Sequence, residues 1–115
     1  MYKTDYFVRI NGSCPASGWL DSLGMRESAP LFAKFKMLEA EGLKLLGTKV
    51  LKQIVGQPHL YEIRYSGYRI ITYFDEKIDT FILLNGFRKQ RMNERREILR
   101  GIELKNEYLA IQRGD

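Results

Sequence analysis

LYEIRYSGYRIITYF, residues 60–74, reads as two strands joined by the shortest kind of hairpin turn. Aromatic and β-branched residues alternate with polar ones on both sides of Ser66-Gly67, and a two-residue turn of that type closes an antiparallel pair, with glycine accepting a positive φ. The spacing puts Tyr65 opposite Tyr68 and Arg64 opposite Arg69. Tyr61, Ile63 and Tyr65 then share one face, and Leu60, Glu62 and Arg64 the other. Two arginines directly opposite repel each other mildly on a bare sheet. Their pairing requires an anion nearby, either Glu62 within the chain or a phosphate outside it.

Working outward, Asp75 to Asp79 is the next turn, and Thr80 to Phe87 is an almost wholly apolar run. Such a run suits an inner strand covered on both faces. Upstream, Val50 to Ile54 is a short extended segment ended by Gly56 and Pro58. The periodicity then changes from two to helical. A helix is expected from Ser28, with Pro30 just inside its start and Leu31, Phe32, Phe35, Met37 and Leu38 along a stripe, interrupted at Gly42. An earlier helix begins at Pro15, capped near Ser13 or Cys14, and carries Trp19, Leu20 and Leu23 before a stop at Gly24. Tyr6 to Asn11 reads as a first strand. The last element is a helix over Asn93 to Ile111, with Ile98, Ile102, Leu104, Tyr108, Leu109 and Ile111 as its apolar side. Gly101 in its middle costs about 1 kcal/mol relative to alanine. The fold class is therefore α+β: a small antiparallel sheet of about four to five strands, with two N-terminal helices packed on one face and a C-terminal helix that either docks on the sheet or swings free when a partner is bound.

At 115 residues the chain fits one domain, 1–115. One cysteine, Cys14, excludes an internal disulfide, and with the single histidine, His59, it leaves no basis for a zinc site. No metal or cofactor is expected. Neither a membrane span nor a signal peptide is expected, and the compartment read from cysteine use is the cytoplasm. The net charge is +5, and thirteen of the nineteen Lys and Arg follow residue 48. Arg88, Lys89, Arg91, Arg95, Arg96 and Arg100 are met only by Glu94 and Glu97 within residues 88–100. This asymmetry points to an anionic partner, nucleic acid first, although a run of this kind also fits a solvated helix face.

LYEIRYSGYRIITYF, followed by FILLNGFRK (81–89) and a charged helix containing RREI (95–98), resembles the phage-derived, HigB-like branch of the RelE/ParE toxin superfamily. CPASGWLDSL (14–23) is similar to that branch's opening, with Pro15, Trp19, Leu20 and Leu23 in place. The resemblance spans about residues 6 to 108. It implies the toxin of a type II toxin–antitoxin system, an endoribonuclease that cuts mRNA in the ribosomal A site. It also implies the ribosome and an antitoxin of helix-turn-helix type as partners. Arg64, Arg69 and Arg88 match the basic positions that family members use on RNA, and Lys89 matches the lysine after the Gly-Phe pair. These four are the expected catalytic residues; Arg91, Arg95, Tyr68, Glu62 and Asn85 are expected RNA contacts, with Asn85 equally open as a satisfied polar group of the core. The chain departs from the family at Asn85, where many relatives have histidine, and at Glu94, where proline is common.

Cleavage of this kind is attack of a 2′-hydroxyl on the adjacent phosphate. It needs a proton acceptor, a proton for the leaving 5′-oxygen, and cations for the charged transition state. Lys89, Glu62, His59 and the tyrosines are all open as acceptor. On this reading Arg69→Ala should abolish growth arrest and leave the fold intact. Two rivals remain: a ParE-like gyrase inhibitor, and a phage-derived binding module that has lost the chemistry.

Overall fold

The computed structural model describes residues 1–114; Asp115, the end of the expected domain, lies outside them. Five strands form one sheet: β1 (Lys3–Tyr6), β2 (Leu51–Gln53), β3 (Leu60–Tyr65), β4 (Tyr68–Asp75) and β5 (Thr80–Arg88), in the order β1-β5-β4-β3-β2. Three helices complete the chain: α1 (Pro15–Asp21), α2 (Met25–Glu41) and α3 (Glu94–Gln112), with a 3-10 turn at Gly42–Leu45. Among the described residues no helix is long and apolar enough to cross a membrane.

β2 to β5 form an antiparallel meander with Tyr65 facing Tyr68 and Arg64 facing Arg69, so the α+β architecture and hairpin register match the sequence reading. Within the turn it is Ser66, not Gly67, that takes the left-handed φ of +50°. β5 is an inner strand, buried on both faces.

Two expectations are corrected. The first strand is Lys3–Tyr6, not Tyr6 to Asn11, and it runs parallel to β5, so the sheet is mixed. It is an edge strand with one open side, which explains its polar residues; the Thr4 hydroxyl donates to Glu39 at 2.7 Å. Residues 8–11 leave the sheet, and a turn closes over Arg9 and Ser13 around Gly12 at φ +88°. Helix α2 begins one turn earlier than Ser28. The Gly24 carbonyl accepts from the Glu27 and Ser28 N–H groups, both at 3.0 Å, so Gly24 opens a helix instead of ending one, and Pro30 lies in the second turn. The two N-terminal helices share one face of the sheet, as expected, and α3 docks on the other. α1 and α2 cover Tyr61, Ile63, Ile70, Phe74, Phe81 and Leu83, whereas α3 covers Leu60, Ile71, Ile82, Leu84 and Phe87.

A bulge in β5 sets which residues go where. Register shifts between Ile71 and Thr72, so Leu84 and Asn85 both turn toward α3. The bulge flips the alternation beyond it. Phe87 therefore lies on the α3 face beside Arg69, and Arg88 lies on the α1 face beside Tyr68.

Helix α3 is held along its length. Arg9 donates through two nitrogens to the Glu107 carboxylate, both at 2.9 Å, and Tyr108 Oη donates to Asp75 at 2.6 Å. Burial and that bond to Asp75 raise the Tyr108 pKa, which keeps the hydroxyl a donor. Gly101 is the closest point of approach. A Cβ there would stand 2.6 Å from Ile71 Cγ2 and 3.1 Å from Asn85 Oδ1. Gly101→Ala, which at an open helical site would gain about 1 kcal/mol, is therefore expected to cost about 1–3 kcal/mol by overpacking. A lowered urea midpoint would read this out.

Candidate functional site

Two rows of side chains cross the sheet on the α3 face. One runs Lys52, Glu62, Ile71, Asn85; the other runs Arg64, Arg69, Phe87. Glu62 lies near the meeting of these rows and is only 5% exposed. Its Oε1 faces Arg69 Nε at 3.4 Å and Arg64 Nε at 3.8 Å. The anion demanded by the facing arginines is thus present within the chain. Glu62 also borders a cleft of about 240 Å3 between β2 and the start of α3, lined by Lys52, Gln53, Ile54, Val55, Glu94 and Ile98. Burial raises the Glu62 pKa and Glu94 raises it further, while Arg69, Arg64 and Lys52 pull it down. The result is a carboxylate that holds a proton more strongly than usual, set among cations.

The two arginines are not equivalent. The Arg64 side chain is 34% exposed and can meet a solute. That of Arg69 is 7% exposed, and its Nη1 donates to the carbonyls of Ser66 at 2.6 Å and Tyr68 at 2.9 Å. Arg69 therefore ties down a turn whose Ser66 adopts a backbone conformation that is costly for a non-glycine residue. This geometry gives Arg69 a structural role, so Arg69→Ala is expected to cost stability as well as any function.

The other predicted residues divide among three places. Asn85 is 2% exposed beneath α3, and its amide donates to the Glu97 carbonyl at 3.1 Å, so it joins strand to helix. Arg88 lies on the opposite face of the sheet, its guanidinium 5.3 Å from the Tyr68 ring centre. The expected catalytic set of Arg64, Arg69, Arg88 and Lys89 does not gather at one point. Lys89 leaves the end of β5, with its ammonium 3.5 Å from Glu94, and joins Arg91 and Arg95 around a shallow basin at the 89–93 loop. Glu94 borders both that basin and the Glu62 cleft. His59 sits at the far end of the hairpin, 3.9 Å from Glu76. Among the described residues no three His, Cys, Asp or Glu side chains gather in a way that could hold a metal.

Sequence reading missed Lys52 and Glu94 as neighbours of Glu62. Lys52 is separated from it by ten positions and becomes its cross-strand partner only through the β2–β3 register. Glu94 arrives from a helix whose face was unknown.

A mixed five-stranded sheet with two helices on one face and one on the other defines the RelE-like class of α+β folds. A family model described as "Phage derived protein Gp49-like" matches residues 18–104, and the chain belongs to that family. Among solved structures, the isolated E. coli RelE toxin superposes with a TM-score of 0.60 at 19% identity, covering 89% of this chain and 99% of that one. The RelE–RelB complex of Pyrococcus horikoshii OT3 gives 0.60 at 18% identity, covering 78% and 97%. The RelBE2 toxin–antitoxin complex of Mycobacterium tuberculosis gives 0.58 at 19%, covering 76% and 98%. No curated protein sequence matches the chain.

Proposed function

We propose that this chain is the toxin of a toxin–antitoxin pair and that it cuts mRNA on the ribosome, with Glu62 as the proton acceptor. The observation that carries the reading is Glu62 itself, a carboxylate of raised pKa at a cleft lined or flanked by Lys52, Arg64 and Arg69. The RelE-like fold, and solved complexes of RelE with RelB, support an antitoxin partner. The sequence resemblance favours one of helix-turn-helix type. With mRNA and ribosome as the other partners, the site of action is the cytoplasm.

In the proposed step the 2′-oxygen bonds to phosphorus as its proton passes to Glu62. The bond to the 5′-oxygen breaks, and that oxygen takes a proton from a cation at the cleft mouth, where Lys52 stands. Arg64 faces the charge that builds on the phosphate. Arg69 strengthens the field from behind without touching RNA. Raising the acceptor's pKa toward the working pH makes it a better base while it remains ionised there. The ribosome orients the mRNA, which lets a sparse set of groups suffice.

The test is induction in growing cells, followed by primer extension on mRNA and a gyrase supercoiling assay on the same cultures. Growth arrest with new mRNA ends at A-site positions is expected, along with normal supercoiling. Arrest without mRNA cuts would overturn the ribonuclease reading, and inhibited gyrase would replace it.

A further inference from the structure

Helical spacing sets Phe32 and Met37 on the apolar stripe of α2, beside Leu31, Phe35 and Leu38. The fold buries only the last three; Phe32 is 43% exposed and Met37 36%. Both lie on the outer side of the helix, together with the exposed Ala29, Ala33 and Ala40. We propose that this outer face is the interface of a two-fold homodimer, in which α2 packs antiparallel against α2 of a second copy. The proposal goes beyond the ribonuclease reading and does not depend on it.

A helix that covers a sheet with one side ordinarily turns charged and polar groups outward. Among the exposed residues from Ala29 to Ala40 only Lys36 is charged, and its ammonium is drawn to within 3.4 Å of Glu39. Large apolar side chains left open at helical spacing mark a contact surface for another helix. Phe32 and Met37 supply the bulk of that contact, and the alanines let a second backbone come close. Helices α1 and α2 pack on the side of the sheet away from Glu62, so a copy seated on the outer face of α2 leaves both Glu62 clefts open.

Charge selects a second copy as the occupant. Arg26 stands exposed at the start of α2 and Glu41 stands exposed at its end. Neither forms an ion pair within the chain among the described residues. At about 100° per residue, Arg26, Met37 and Glu41 fall on one shoulder of the outer face and Phe32 falls on the other. A two-fold axis brings like shoulders together. With the helices antiparallel and centred between Ala33 and Lys34, Arg26 of one copy lies level with Glu41 of the other, and the axis repeats that contact at the far end. The Phe32 rings of the two copies meet across the axis on the opposite shoulder. Such self-complementarity under reversal is what an isologous interface requires, whereas a parallel pair would set Arg26 against its own copy. The paired strip is about 25 Å long and about 10 Å wide, at the small end of specific interfaces, below about 1,200 Å2 in total. Association is therefore reversible and set by concentration.

Sedimentation equilibrium of the intact protein over a wide concentration range is the test. A monomer–dimer equilibrium is expected, with no larger species, because an isologous contact closes on itself. Ala33→Lys changes an exposed position beside the axis to another good helix former, so the circular dichroism spectrum should stay the same. It should raise the dimer dissociation constant by about tenfold or more, by placing bulk and like charge at the centre of the contact. Arg26→Glu and Glu41→Arg should each weaken the dimer by about tenfold, since both ends then oppose like charges. An equal mixture of these two variants should dimerise like the parent, because the mixed pair again matches unlike charges at both ends. A parent that stays monomeric throughout would overturn the proposal. So would a dimer that Ala33→Lys leaves within twofold of the parent, or a mixture no tighter than its two components. A monomeric parent whose α2 face is covered only by an antitoxin, so that Ala33→Lys weakens that complex alone, would hand the face to that partner and remove the homodimer.

Discussion

Glu62→Gln is expected to lower mRNA cleavage on programmed ribosomes by about 10²- to 10⁴-fold, the range associated with loss of a general base. The amide keeps the shape of the side chain between Lys52 and Ile71 but cannot accept the 2′-proton. Single-turnover cleavage with parallel circular dichroism is the measurement. A folded variant cutting within about threefold of the parent would remove Glu62 from the mechanism. The pH profile carries a sign as well. The base must be ionised, so cleavage should rise with pH through the raised pKa of Glu62 and then level off. Glu94 contributes to that raised value, so Glu94→Gln should move the rising limb toward lower pH. Stability runs the other way. The native state holds this proton more tightly than the unfolded chain, so the contribution of Glu62 is fully present below the ordinary carboxylate pKa and is lost as pH rises through the raised one.

Arg69→Ala is expected to destabilise the protein by about 3–5 kcal/mol, the usual cost of stripping one partner from a buried charge pair. The change removes two donors from the Ser66 and Tyr68 carbonyls and leaves Glu62 with Arg64 as its remaining close cation. Urea denaturation measures it, and the double variant with Glu62→Gln isolates the coupling. Arg69→Ala should cost less in the Glu62→Gln background, because no buried carboxylate is then left short of its partner. A cost below about 1 kcal/mol would show that the turn stands without its guanidinium. Loss of toxicity in Arg69→Ala would thus report on folding first. Arg64→Ala, at a partly exposed side chain, is the cleaner probe of phosphate binding.

The hairpin was legible because alternation and a two-residue turn leave one register, and that register alone puts Arg64 against Arg69. The C-terminal helix was legible to within a residue from its apolar spacing. Three things were not. The β5 bulge leaves no mark in FILLNGF, where an all-apolar run hides the change of face, and Arg88 therefore looked like a neighbour of Arg64. The first strand was obscured by its polar, edge-strand composition, while the aromatic and branched residues after it drew attention away. The face taken by α3 depends on tertiary packing, which also decides that Asn85 is spent on the Glu97 carbonyl. Gly101, legible only as a defect in a helix, is the residue that allows that contact.

Gly86 and Gly101 together limit how the molecule can move. Each marks a contact with no clearance, one where the indole of α1 meets the sheet and one where α3 meets it from the other side. Packed layers of this kind resist sliding past one another, because a shift of a fraction of a residue would drive Trp19 and Ile71 out of the gaps that the glycines leave and against neighbouring side chains. Helix α3 is thus denied shear as a mode of motion. If it departs from the sheet it must lift away like a hinged flap, pivoting on the short 89–93 segment and breaking the Arg9, Asp75 and Asn85 contacts as it rises.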